Sequence, residues 1–143
     1  MLRAALALLV LLAIPVALLA TPAVAEHTVY YRYVVLGFVK DAQGQHLSGR
    51  EVEVVRDKTG LTYHGHTDEQ GLFVIVVRLG DESAGETLTL RIGQARTTVT
   101  ARFDPADHTH DRGTRVDLDD TRFVERTAAF QPTLARFVGD TRH

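Results

Sequence analysis

The 143-residue sequence predicts an all-β fold, with seven short strands closing into an antiparallel two-sheet sandwich. Two observations carry this expectation. From Tyr30 onward, runs rich in Val, Thr, Tyr and Phe alternate with Gly and Asp clusters at intervals of about 8–12 residues, the spacing of sandwich and barrel strands. Helical periodicity is missing until the C-terminal segment. The chain has no cysteine, so packing must hold the sandwich, and neither a disulfide-stapled module nor an acylated-cysteine lipoprotein fits the composition.

The elements follow in order. Tyr31 to Lys40 is a first strand, closed by Asp41-Ala42-Gln43-Gly44, where Asp bonds the backbone ahead of it and Gly accepts positive φ. Glu51-Val52-Glu53-Val54 alternates charge with a β-branched residue, which puts both valines on a buried face. Leu61 to Thr67 is a third strand, followed by a second Asp-to-Gly turn, Asp68 to Gly71. Leu72 to Val77 is apolar throughout, so both of its faces should be covered, as in a central strand. Glu86 to Ile92 and Ala95 to Phe103 form a hairpin about Gly93-Gln94. A loop from Asp104 to Gly113 leads to the last strand, Thr114 to Leu118.

Ahead of the strands, Arg3 is followed by an uncharged Ala-, Leu- and Val-rich run ending in Ala23-Val24-Ala25. A basic start, an apolar stretch and a small-x-small end are the parts of a secretory signal, so residues 1–25 read as a signal peptide and Glu26 as the mature N-terminus. Left uncleaved, the same run is long enough to anchor the chain, since a spanning helix needs about 20 residues. Either way the expected location is exported, periplasmic or secreted. The expected division is signal 1–25, sandwich 26–120 and an amphipathic tail 121–143. The net charge of −2, without a basic stripe, argues against nucleic acid as a partner.

Gly37-Phe38-Val39-Lys40-Asp41, Gly44, Leu47, Gly49 and Val52-Glu53-Val54, followed by Thr67-Asp68-Glu69-Gln70-Gly71-Leu72-Phe73, resemble the carboxypeptidase regulatory-like domain. The resemblance covers roughly half of the chain beyond the signal, a stretch defined by turn glycines and a Thr-Asp-x-x-Gly-x-Phe segment. It implies an Ig-like, transthyretin-like seven-stranded sandwich and a non-catalytic accessory module. It supplies no catalytic residue.

Histidines are the most suggestive polar groups. His64-Gly65-His66 on a strand, and His108-Thr109-His110 in a loop, each offer two imidazoles that could hold copper or zinc, and Glu26-His27 could offer copper an amine and an imidazole. His64 and His66 with Tyr30, Tyr31, Tyr33 and Tyr63 are also similar to the two-Tyr, two-His iron site of intradiol dioxygenases. Asp104, Asp107, Asp111, Asp117, Asp119 and Asp120 make an acidic region that matches no regular calcium loop. Neither Ser48 nor Ser83 sits in a nucleophile elbow.

After Asp120 the chain mixes Phe123, Val124, Phe130, Leu134, Phe137 and Val138 with arginines. Pro132 can start a short helix that puts Leu134, Phe137 and Val138 on one side. Two fates are open: packing back over an edge of its own sandwich, or docking on a protein partner through Phe123, Phe130, Leu134, Phe137 and Val138. The functional expectation is therefore a non-enzymatic, exported accessory or interaction module without a cofactor, meeting a membrane only through an uncleaved N-terminus. The alternative is a periplasmic copper- or zinc-binding protein using His64, His66, His108 and His110.

Overall fold

The computed structural model describes residues 32–141. The signal segment, the proposed cleavage site, His27, Tyr30 and Tyr31 lie outside the described residues. No described helix is long and apolar enough to cross a membrane.

Among the described residues, eight strands form two four-stranded sheets, one more strand than the sequence pattern predicts. They are β1 (Tyr33–Lys40), β2 (Glu51–Arg56), β3 (Leu61–His66), β4 (Leu72–Val77), β5 (Thr87–Ile92), β6 (Ala95–Thr100), β7 (Gly113–Asp119) and β8 (Arg122–Glu125). A helix, α1 (Phe130–Thr141), follows. The first sheet runs β4-β1-β7-β8 and the second β3-β2-β5-β6. The first sheet is mixed rather than antiparallel, because β1 and β7 pair in parallel from Val34 against Gly113 to Lys40 against Asp119.

The turn chemistry follows the sequence closely. Asp41 Oδ1 accepts the Gln43 and Gln45 N–H groups at 2.9 and 2.8 Å, and Asp68 Oδ1 accepts those of Gln70 and Leu72 at 2.8 and 2.9 Å. Gly71, at φ +78°, has a second reason to lack a side chain: a Cβ there would lie 2.9 Å from the Val39 carbonyl oxygen. The β5–β6 hairpin turns on Gly93 and Gln94, with Ile92 opposite Ala95.

Between the sheets, Val35, Val39, Val52, Val54, Phe73, Ile75, Leu88, Leu90, Val99, Val116 and Leu118 form one core. Gly37 lets β1 and β7 lie close, since a Cβ there would fall 1.8 Å from the Val116 carbonyl oxygen and 3.1 Å from the Phe73 ring. At one edge of the core Arg56 makes a two-pronged pair with Glu86, 2.7 Å on each side, and the guanidinium pulls the Glu86 carboxyl down to about 2.

Two expectations need correction. Leu72–Val77 is an edge strand, not a central one, and Val76 is 44% exposed. Its unbroken apolar run has another cause: Val74 on its outer face is covered by α1 rather than by a flanking sheet. The segment after Asp120 is also part of the sandwich, not an appended tail. Asp120 adopts φ +61° and its N–H donates to the Lys40 carbonyl at 2.9 Å, turning the chain so that Phe123 lies opposite Leu118 and packs on the core.

Candidate functional site

The outer face of the first sheet is where α1 sits. On β1, Val34, Leu36 and Phe38 point away from the core, in opposite phase to Tyr33, Val35 and Val39. Phe130 and Leu134 of α1 bury themselves on Val34 and Leu36, with Phe137 and Val74 partly buried around them. The spacing 130, 134, 137 is one stripe of a helix. Phe130 seats against Gly113, where a Cβ would come within 2.6 Å of two of its ring carbons. Of the residues read as a docking patch, Phe130 and Leu134 are thus spent inside the fold, Phe123 and Phe137 are half-buried, and Val138 is exposed. The segment after Asp120 covers both a sheet edge and a sheet face: β8 pairs along the edge of β7, and α1 lies on the outer face of the same sheet.

Beside the helix the same face carries charge. Asp117 on β7 is buried, its side chain 2% exposed, and accepts the Phe38 N–H at 2.9 Å. Arg115 grips it with Nε to Oδ1 at 2.9 Å and Nη2 to Oδ2 at 2.8 Å, and Arg126 adds a further bond to Oδ2. Burial alone would raise this carboxyl; the guanidinium of Arg115, the Phe38 N–H and the charge of Arg126 outweigh it and hold the carboxyl below the usual range. Arg115 also donates from Nη1 to Thr133 Oγ1 at 3.0 Å, which ties β7 to α1, and its guanidinium lies 4.9 Å from the centre of the Phe38 ring.

These contacts make one wall of a groove of about 430 Å³. Phe38, Leu72 and Phe137 form its apolar floor and side, with Phe38 and Leu72 adjacent across β1 and β4. Arg115, Thr133 and Arg136 line the helix side; His46, Asp68 and Gln70 line the turn side. His46 is held by its Nδ1 contact with the Gln70 carbonyl and packs edge-on to Phe38, ring centres 5.9 Å apart. The volume falls in the range of small-molecule sites, and an apolar floor with a few fixed polar groups is their usual lining.

The histidines do not converge. His64 and His66 point outward from the edge strand β3, His64 lying 3.5 Å from Glu53, while the second pair lies in the crossover after β6, the opposite edge of that sheet. His108 Nε2 is 2.9 Å from Asp81 Oδ2, and His110 Nδ1 is 2.8 Å from Asp107 Oδ2. Among the described residues, no group of three or more His, Cys, Asp or Glu is placed to hold a metal ion. The arrangement of an intradiol iron site is not formed by the described tyrosines either. Tyr33 points into the core with its hydroxyl 3.5 Å from the Thr100 carbonyl, and burial pushes that phenol up to about 12, which keeps it neutral.

Asp81, Asp104, Asp107 and Asp117 are likewise occupied. Asp107 accepts from the Thr109 N–H and hydroxyl and from His110, and these bonds hold its carboxyl well below the usual range. Asp81 is lowered by Arg112, 2.8 Å away, and then by His108. Asp104 caps Ala106 N–H at 2.9 Å, and Asp117 is enclosed by arginines.

The sequence reading missed Phe38, His46, Arg115 and Arg136 as site residues. A signal for Phe38 was present: Tyr33 to Val39 is apolar in both phases except at Gly37, so β1 as well as β4 carries an outward apolar row.

No family model and no curated protein matches the chain. Among solved structures, it is similar to the dioxygenase domain of a dioxygenase carbohydrate-binding protein fusion from Streptomyces sp. SirexAA-E, with 17% identity, 67% of this chain and 83% of that one covered, and a TM-score of 0.44. It is similar to the major pilin subunit of Bacillus cereus at 10% identity, covering 63% of this chain and 30% of the pilin, TM-score 0.42. A third similarity is to catechol 1,2-dioxygenase from an Acinetobacter species, at 13% identity over 71% of this chain and 59% of the enzyme, TM-score 0.42. Likeness at this level assigns no activity.

Proposed function

We propose that this protein is an exported, non-catalytic β-sandwich that works by binding, and that the groove between α1 and the outer face of the first sheet is its binding surface. The observation that carries the reading is the groove itself, a hollow of about 430 Å³ with Phe38, Leu72 and Phe137 beneath and fixed charges at its walls. Support also comes from the sequence's nominated polar groups, because His108, His110, Asp107 and Asp117 are each engaged in bonds that shape loops or dock the helix. In this reading the sandwich is of the transthyretin-like, carboxypeptidase regulatory-like kind, supported by the two Asp-to-Gly turns. The accessory role keeps its place in this reading, with the groove rather than the buried stripe of α1 as the contact.

One experiment tests location and surface together. A photoreactive side chain is placed at Gln70 on the groove rim or at Thr98 on the outer face of the second sheet, and the full chain is irradiated in its own cells and recovered for mass spectrometry. Adducts at Gln70 but not at Thr98, on a chain beginning at Glu26 in the exported fraction, are expected. Equal labelling at both positions, or none, would remove the groove from the proposal. A chain retained in the cytoplasm with residues 1–25 intact would remove the export.

A further inference from the structure

The groove is asymmetric in charge, and that asymmetry narrows what it can hold. Resting on the reading of the groove as a binding surface, we infer that its ligand is a small organic acid: one carboxylate at the Arg136 and Arg115 side, carried on a flat apolar body that lies over Phe38, Leu72 and Phe137. Arg136 stands on the helix wall opposite the Asp68 carboxylate of the turn wall, while the charge of Arg115 is already matched by Asp117. Asp68 already serves the turn, with Oδ1 accepting from the Gln70 and Leu72 N–H groups, and it belongs to the wall opposite the helix. Arg115 gives Nε and Nη2 to Asp117 and Nη1 to Thr133, so it is a fixed part of the wall, and Arg136 is the group left to meet a ligand carboxylate. Arg136 is exposed on α1 and makes no hydrogen bond or ion pair with a described residue. A carboxylate matches the planar donor fork of a guanidinium.

Phe38 already takes the Arg115 guanidinium over its ring and the His46 ring against its edge, and Leu72 and Phe137 extend the apolar surface to either side. A body that is flat and apolar covers that surface; a fully polar anion such as inorganic phosphate leaves it wet.

The test is an amide-resolved NMR titration of the protein purified from cells expressing the full chain, with 3-phenylpropionate, its uncharged amide 3-phenylpropionamide, and inorganic phosphate as probes. The acid is expected to perturb Phe38, His46, Leu72, Arg115, Arg136 and Phe137, and to bind about fivefold more tightly than the amide, the scale of an ion pair at a solvent-facing wall. Arg136→Gln, on the exposed side of α1, is expected to abolish that preference while leaving the unfolding midpoint unchanged. Acid and amide binding equally well in the groove would overturn the ligand class and leave the groove reading standing. Perturbation of the groove by neither probe would overturn both. Phosphate binding as tightly as the acid would reduce the site to a bare anion hole and overturn the apolar half of the inference. A peptide ending in Phe that binds well above 3-phenylpropionate would replace the small acid by a chain terminus.

Discussion

On the first sheet the outward side chains Val34, Leu36 and Val74 lie beneath Phe130, Leu134 and Phe137, and the Asp117 carboxylate beside them is buried. On the second, the outward row His64, Glu53, Arg91 and Arg96 crosses four strands in solvent, flanked by Thr62, Val55, Thr89 and Thr98. Both sheets send the same kind of aliphatic residues into the shared core. The difference lies in what the second phase of each strand carries. An apolar outer phase must be covered, and here the covering helix creates a groove along its side; a polar outer phase needs no cover and creates none.

The contrast can be broken most severely at Asp117. Asp117→Ala leaves Arg115, Arg126 and the Phe38 N–H facing a gap, and should cost about 4 kcal/mol in urea unfolding, the scale of a buried pair that loses one member. A loss below about 1 kcal/mol would mean that water replaces the carboxylate and that this face is not a closed interior.

Phe130→Ala should cost about 3 kcal/mol and should speed amide exchange in α1 and β1 well before that in β2 and β5. Uniform acceleration in both sheets would show that the helix is not a separable cover.

Acid should act on Asp117 under the helix and on Glu86 beside the second sheet. The carboxyls of Asp117 and Glu86 are held low in the folded state, so their contribution is complete above the unfolded-state carboxylate values near pH 4 and is lost as pH falls through the native ones. Asp117 should carry part of that loss, measured as the difference in acid sensitivity between the native chain and Asp117→Asn. The smallest effect belongs to the open face. Glu53→Gln breaks the contacts with His64 and Arg91, both at 3.5 Å, and should change stability by less than about 0.5 kcal/mol. An effect comparable to that of Asp117 would erase the distinction between the two faces.

Much of the sandwich could be read from residues whose effect is local. Asp41 and Asp68 hydrogen-bond backbone groups two and four residues away, and the Glu-Val alternation of β2 needs no distant partner to give its phase. The eighth strand was hidden because Asp120 looks like one more member of an acidic run; its role as a turn residue shows only in its positive φ. The groove was hidden for a different reason. Phe38, Arg115 and Phe137 are far apart in sequence and meet only because β1 lies beside β7 in parallel, a pairing for which strand periodicity carries no signal. The apolar spacing of Leu134 and Phe137 did predict a helix face, but spacing alone does not say whether the surface it meets belongs to the same chain.

That parallel pairing also sets a schedule for folding. Phe38 and Asp117 are 79 residues apart, so β1 gains its neighbour on that side only after nearly the whole sandwich has been synthesised. Contacts of such separation make folding slow, because the loop between them must close before either strand gains from the pairing. The β5–β6 hairpin can form early from local contacts, while the sheet that carries the groove zips last. A polypeptide with that order of events completes its groove only once nearly all of the sandwich is present.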